Sequence, residues 1–133
     1  MRRTAGLLAA LAFATSAAAE DAAIGERLFT DHCAACHGTR AEGDGPMASV
    51  LSIRPANLTE LSAGNGGVFP TDRVIRRIDG TTEVLAHGGP MPLFGLILEG
   101  PSDAILTPDG SEIIAPEAIV DIAAWLQSIQ EGN

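Results

Sequence analysis

Two thiols and an imidazole stand together at Cys33-Ala34-Ala35-Cys36-His37, and these are the only two cysteines of the 133-residue chain. Cysteines spaced C-x-x-C and followed at once by histidine read as the attachment site of a c-type haem. Each thiol can form a thioether with one vinyl group of the same porphyrin, and His37 is then placed to ligate the iron from one face. A second axial ligand must come from elsewhere. Histidine on one side with methionine on the other serves electron transfer, and the methionine raises the potential. Met91 is the first candidate: in His87-Gly88-Gly89-Pro90-Met91-Pro92, glycines and prolines make a stiff extended loop that presents a thioether, where a methionine in general is more often packing. His87 is the second candidate and would give a bis-histidine iron of lower potential. Met47 ranks third, because it follows His37 too soon to reach the opposite face easily.

Other uses of the same residues fit less well. A thioredoxin-like dithiol calls for a strand before the motif within a βαβ unit, whereas the residues before Cys33 read as helix. A zinc site needs about four ligands, and beyond the motif only His32 and His87 remain as imidazoles, with no third cysteine. A structural disulfide between Cys33 and Cys36 would suit an exported chain but leaves the histidine and the methionine loop without a purpose.

Residues 1–19 read as a cleaved secretory signal peptide. Arg2 and Arg3 form its basic start, Ala5 to Ala14 an apolar run too short to span a bilayer, and Ala17-Ala18-Ala19 a small-residue cleavage site. The functional domain is then 20–133, in an exported, periplasmic compartment. No later run reaches the roughly 18 apolar residues of a membrane span. Without the leader the chain keeps six Arg, no Lys and 17 acids, a net charge of −11. That charge favours solubility and encounters with redox partners that carry basic docking surfaces, and excludes nucleic acid and anionic membrane as partners. Phe29, Phe69, Phe94 and Trp125 are the only aromatic residues of 20–133, so a flat apolar cofactor would supply much of the interior that a domain this small lacks.

The elements that must hold the motif follow from periodicity. Residues 21–33 read as a helix with Gly25, Phe29 and Cys33 on one stripe and Asp21 near its start; a glycine inside it suggests that another helix crosses there. Residues 38–69 read as loop, punctuated by Gly38, Gly43, Gly45, Pro46 and Pro55, with brief helical turns near 47–51 and 58–63. A backbone carbonyl of this loop, such as that of Pro46, should accept from the second nitrogen of His37. Thr71 reads as the N-cap of a helix carrying Val74, Ile75 and Ile78 and ended by Gly80. Arg73, Arg76 and Arg77 lie on it, mostly as a solvated face, with one free to pair with a haem propionate. Around Pro108-Asp109-Gly110 the apolar pairs read as a small hairpin or ordered loop. A last helix starts with Pro116 at its first position and Glu117 in its first turn, and runs through Ile119, Ile122, Trp125, Leu126 and Ile129 to about Gln130.

Gly25-x-x-x-Phe29-x-x-x-Cys33, Cys33-Ala34-Ala35-Cys36-His37-Gly38, Gly89-Pro90-Met91-Pro92 and Ile122-x-x-Trp125 together resemble the monohaem class I cytochromes c over nearly all of residues 21–130. The 54–92 segment also looks like small periplasmic cytochromes of proteobacteria. The resemblance implies an all-α fold whose first and last helices cross around one covalently bound haem, with Phe29 against Ile122 and Trp125 beside Gly25. It implies Cys33 and Cys36 as thioether anchors, His37 as proximal ligand, Met91 as distal ligand, and one haem c per chain. Phe94 stands where many relatives carry Trp, and residues 99–115 lengthen the stretch before the last helix. The function implied is that of a non-catalytic electron carrier between periplasmic redox partners, with a haem subunit of a larger oxidoreductase as the alternative. A five-coordinate binder of gas or peroxide needs an open distal site, which the Met91 loop opposes. A dihaem peroxidase needs a second C-x-x-C-H, and there is none.

Overall fold

The computed structural model describes residues 16–80 and 91–132. His87, Gly89 and Pro90, and the first fifteen residues of the expected leader, lie outside the described residues. The order is α1 (Ser16–His32), α2 (Ala34–His37), a 3-10 turn (Ala63–Asn65), α3 (Thr71–Asp79), β1 (Ser102–Leu106), β2 (Glu112–Pro116) and α4 (Glu117–Ser128). The described residues are thus mostly helical, with one small two-stranded sheet among them.

Alanines, Glu20, Glu26, Arg27 and Leu28 give α1 strong helix propensity. It runs from Ser16, so four residues of the expected leader belong to it and Asp21 lies beyond its first turn. The most extensive packing between elements joins α1 to α4. Gly25 is the reason they can meet: a Cβ there would lie 1.9 Å from the Asp121 carbonyl oxygen and 3.0 Å from the Ile122 nitrogen. One turn further along, the rings of Phe29 and Trp125 pack with centroids 4.6 Å apart and a 42° tilt, an offset aromatic pair. The helices therefore cross one turn earlier on α4 than the resemblance implies. Gly25 sits on the backbone of Asp121 and Ile122, and Phe29 rather than Gly25 takes Trp125. The buried face of α4 is Ile119, Ile122, Ala123, Trp125 and Leu126, the 3–4 spacing of an amphipathic helix.

Two helix starts differ from expectation. Thr71 is the first residue of α3 rather than its cap, and the N-cap position falls to Pro70 with no side-chain hydrogen bond. Pro116 likewise ends β2 and caps α4 from outside. Pro116 holds the backbone extended just before α4, with ψ 134°, whereas Pro70, with ψ 67°, centres an inverse γ-turn in which Thr71 N donates to Phe69 O at 3.0 Å. Gly80 closes α3 in the left-handed region, its N–H donating to Arg76 O at 2.9 Å, and Val74, Ile75 and Ile78 face the core as read.

The 99–115 stretch is a hairpin. β1 and β2 pair antiparallel with Ala104 opposite Ile114 and Leu106 opposite Glu112. Directly opposed residues share a face. One face buries Ile113 and Ala115 and half-buries Ile105 against α3 and α4, while the other leaves Leu106 75% and Ile114 72% exposed. The turn is tied by Thr107 and Asp109 side chains: Thr107 Oγ1 donates to the Asp109 carboxylate, and Ser111 N donates to the same oxygen at 3.1 Å. Gly110 supplies the positive φ of +85°.

Candidate functional site

Helix α1 stops at His32, and Cys33 breaks the geometry with φ −118° before α2 resumes for one turn. The break puts both thiols and the imidazole at the C-terminal end of α1, on a short helix whose carbonyls need partners. The loop that follows supplies them. Gly38 N donates to Ala34 O at 2.9 Å, Gly43 N to His37 O at 2.8 Å, Gly45 N to Cys36 O at 3.2 Å and Met47 N to Ala35 O at 2.9 Å. Such a close wrap requires glycine. A Cβ at Gly45 would sit 2.6 Å from the carbonyl oxygens of Ala34 and Ala35, and Gly38 and Gly43 hold φ of +80° and +77°.

Cys33 is buried, Cys36 half-buried, and both are free thiols. Burial, with a smaller push from Cys36, raises the Cys33 thiol to about 11. A reactive redox dithiol needs a thiol lowered toward neutrality, so the thioredoxin-like use is opposed here. His37 is half-buried, and its Nδ1 donates to the Ala56 carbonyl at 3.2 Å. A carbonyl can only accept, so the proton sits on Nδ1 and Nε2 keeps its lone pair. Burial lowers the His37 pKa from 6.5, against a smaller upward pull from the Ala56 bond. The ring is therefore neutral at pH 7, as a ligand must be. Phe29 walls one side, with ring centroids 6.5 Å apart.

The carbonyl at His37 is that of Ala56 rather than Pro46. The 43–47 segment turns its N–H groups toward the motif, so the acceptor comes from the next pass of the chain. That pass is itself well fixed. Leu58 N donates to Ala41 O at 2.7 Å, and Thr59 N and Oγ1 donate to Asn57 Oδ1 at 3.0 and 2.8 Å. Gln130 reaches over from beyond α4: its Oε1 accepts from Ser62 N at 2.8 Å, and its Nε2 donates to Leu58 O at 2.8 Å and Leu126 O at 2.7 Å. Ala56 had no signal in the sequence, since every residue carries a carbonyl. Gln130 had one, as a polar residue continuing the Ile119–Ile122–Leu126 stripe.

The structure brings Cys33, Cys36 and His37 together. Met91 is half-buried and packs on the same apolar cluster that contains Cys33. The stretch after it is fastened to the end of α3: Phe94 N donates to Ile78 O at 3.0 Å, and a Cβ at Gly95 would fall 2.5 Å from Asp79 O. The Phe94 ring stands edge-on to His32 at 6.5 Å. Met47 is exposed.

A haem c fits the residues present: two free thiols two apart, a neutral imidazole with one nitrogen anchored and one available, and exposed apolar side chains at Met47, Leu51, Ile53 and Leu93. Among the described residues no three of His, Cys, Asp and Glu gather as a metal site, which gives a zinc centre no support. The family model described as cytochrome c matches residues 22–130. The chain belongs to the cytochrome c family. Its cofactor is therefore covalently attached haem c with iron, and members of the family are typically electron carriers. Comparison with curated proteins and with solved structures finds no match. Among the described residues no helix is long and apolar enough to cross a membrane.

Proposed function

We propose that this cytochrome c carries one haem bound through Cys33 and Cys36, with His37 Nε2 and the Met91 thioether as axial ligands. We further read it as a shuttle of single electrons between periplasmic partners after removal of residues 1–19. When bound, the haem supplies a one-electron iron couple. The chain's residues do the rest. Cys33 and Cys36 hold the group covalently, and the α2 backbone is locked under them by the 43–47 cradle. His37 offers Nε2 in a fixed orientation because Nδ1 is tied to Ala56 O, and a strongly held ligand limits rearrangement between oxidation states. Phe29, beside the imidazole and packed on Trp125, closes one side of it.

The observation that carries this reading is the single hydrogen bond at His37 Nδ1, beside two free thiols, which leaves the Nε2 lone pair available to ligate iron. Optical spectra of the purified, exported protein test it. A low-spin ferrous c-type spectrum and a ferric methionine-to-iron charge-transfer band are expected, with the second lost in Met91→Ala. A band that survives Met91→Ala refutes the distal ligand, and a colourless protein refutes the whole reading.

A second reading, that of a haem subunit in a larger oxidoreductase, is favoured by Leu106 and Ile114 on the outer face of the hairpin. Gel filtration from the native source separates the two: a monomer-sized peak supports the carrier, and a stable larger complex supports the subunit.

A further inference from the structure

The segment just after α4 reaches His37 through two links. His37 Nδ1 donates to Ala56 O. Two residues on, Leu58 is pinned from both sides, its N–H donating to Ala41 O at 2.7 Å and its carbonyl accepting from Gln130 Nε2 at 2.8 Å. Gln130 is buried, and its side chain bonds backbone at three places: Ser62 N, Leu58 O and Leu126 O. Glu131 N donates to Thr59 O at 2.9 Å alongside it. Among the described residues one further side-chain bond ties this segment to the residues after α4, Thr59 Oγ1 donating to Glu131 Oε1 at 3.2 Å, but Gln130 alone reaches α4 itself.

We propose that Gln130 is a positioning residue for the axial histidine: by clamping Leu58 and Ser62 to the end of α4, it sets where the Ala56 carbonyl meets His37 Nδ1. The claim rests on His37 being the proximal ligand. A carbonyl held close to Nδ1–H makes the imidazole a stronger donor, which favours ferric over ferrous iron. Freeing the clamp lets the carbonyl drift, weakens that donor, and moves the potential upward. A purely structural role predicts lower stability with no such shift.

The test uses the full haem-loaded chain. Gln130→Leu removes all three bonds at similar volume. Gln130→Met does the same with a more adaptable side chain, and serves if the leucine variant does not mature. Ser128→Ala is the control for fraying of the same helix end, because Ser128 Oγ bonds only Trp125 O, at 2.7 Å. In a spectroelectrochemical titration at the unsubstituted protein's midpoint, the Gln130 variants should raise the ferrous-to-ferric ratio about threefold or more, with Ser128→Ala unmoved. Proton exchange at His37 Nδ1, followed by NMR of the ferrous protein, should quicken in the same variants only. Unchanged potential and exchange in the Gln130 variants overturn the proposal, as does an equal shift in Ser128→Ala. An unsubstituted protein that takes up no haem overturns instead the reading of the motif on which the proposal rests.

Discussion

Replacing Gly25 by alanine sets two opposing effects against each other. Alanine is the better helix former by about 1 kcal/mol, and on local grounds α1 should gain. The new Cβ, however, would sit 1.9 Å from Asp121 O, where ordinary contact begins at 3.4 Å. The obstacle is backbone, which cannot swing aside as a flexible side chain can, so α1 and α4 must part by about 1.5 Å at the crossing. A gap of even 0.5–1 Å forfeits about a quarter to a half of a dispersion contact. Phe29, Ile122 and Trp125, all buried at this crossing, each contribute about 2 kcal/mol by burial, so the three lose about 3 kcal/mol together. The net cost is about 2 kcal/mol, or a fall in Tm of about 8 °C for a domain of this size. Chemical unfolding of the haem-loaded protein, followed by far-ultraviolet circular dichroism, measures it. Gly64→Ala is the control, since nothing lies within 4 Å of that position, and it should change stability by less than about 0.5 kcal/mol. A Gly25→Ala protein as stable as its parent, or more so, would refute the close crossing and the reasoning built on it.

Other outcomes follow from the same geometry. The folded His37 pKa lies below its unfolded value of 6.5, so the unfolded chain binds the proton first. The haem-free protein should hold its stability above about pH 6.5 and lose it as pH falls toward the folded value, and His37→Ala should flatten that limb of a pH–Tm curve. Asp121 is held above the usual carboxylate range by burial and then by Asp21, Glu117 and Asp103. Asp121→Asn should therefore stabilise the crossing at neutral pH, by no more than about 0.5 kcal/mol after solvent screening, and by less in 1 M salt when unfolding is repeated there. Gly45→Ala pushes a methyl group into the carbonyls of Ala34 and Ala35. It should cost about 2–3 kcal/mol and reduce the fraction of chains carrying haem, read by intact mass.

The parts visible in the sequence are those where residue type alone dictates geometry. C-x-x-C-H points by its spacing to the family the chain belongs to, Gly25 to its crossing by being a glycine inside a helix, and Gly80 to the end of α3 by tolerating positive φ. The Pro-Asp-Gly turn gave the hairpin, though not its register. What stayed hidden depends on backbone groups that every residue shares. Ala56 rather than Pro46 faces His37 because of how a loop of more than thirty residues doubles back, and no side chain marks that course. The exchange of partners at the crossing, with Phe29 on Trp125, is set by helix rotation, which a stripe spanning several neighbouring positions does not fix. Pro116 was read one residue too far into its helix, and Thr71 one residue too far out, as cap instead of first helical residue, because a residue with fixed φ suits the position before a helix as well as its first position.

The contact between residues 25 and 121 also orders events in time. Closing a loop of nearly a hundred residues costs about 4 kcal/mol of chain entropy, and it cannot be attempted until residue 121 has been synthesised. Before then the Phe29 face of the first helix lacks its α4 mate, and the adjoining thiols stay in an open chain. A crossing between segments so far apart thus leaves a window in which Cys33 and Cys36 are reachable before it shuts.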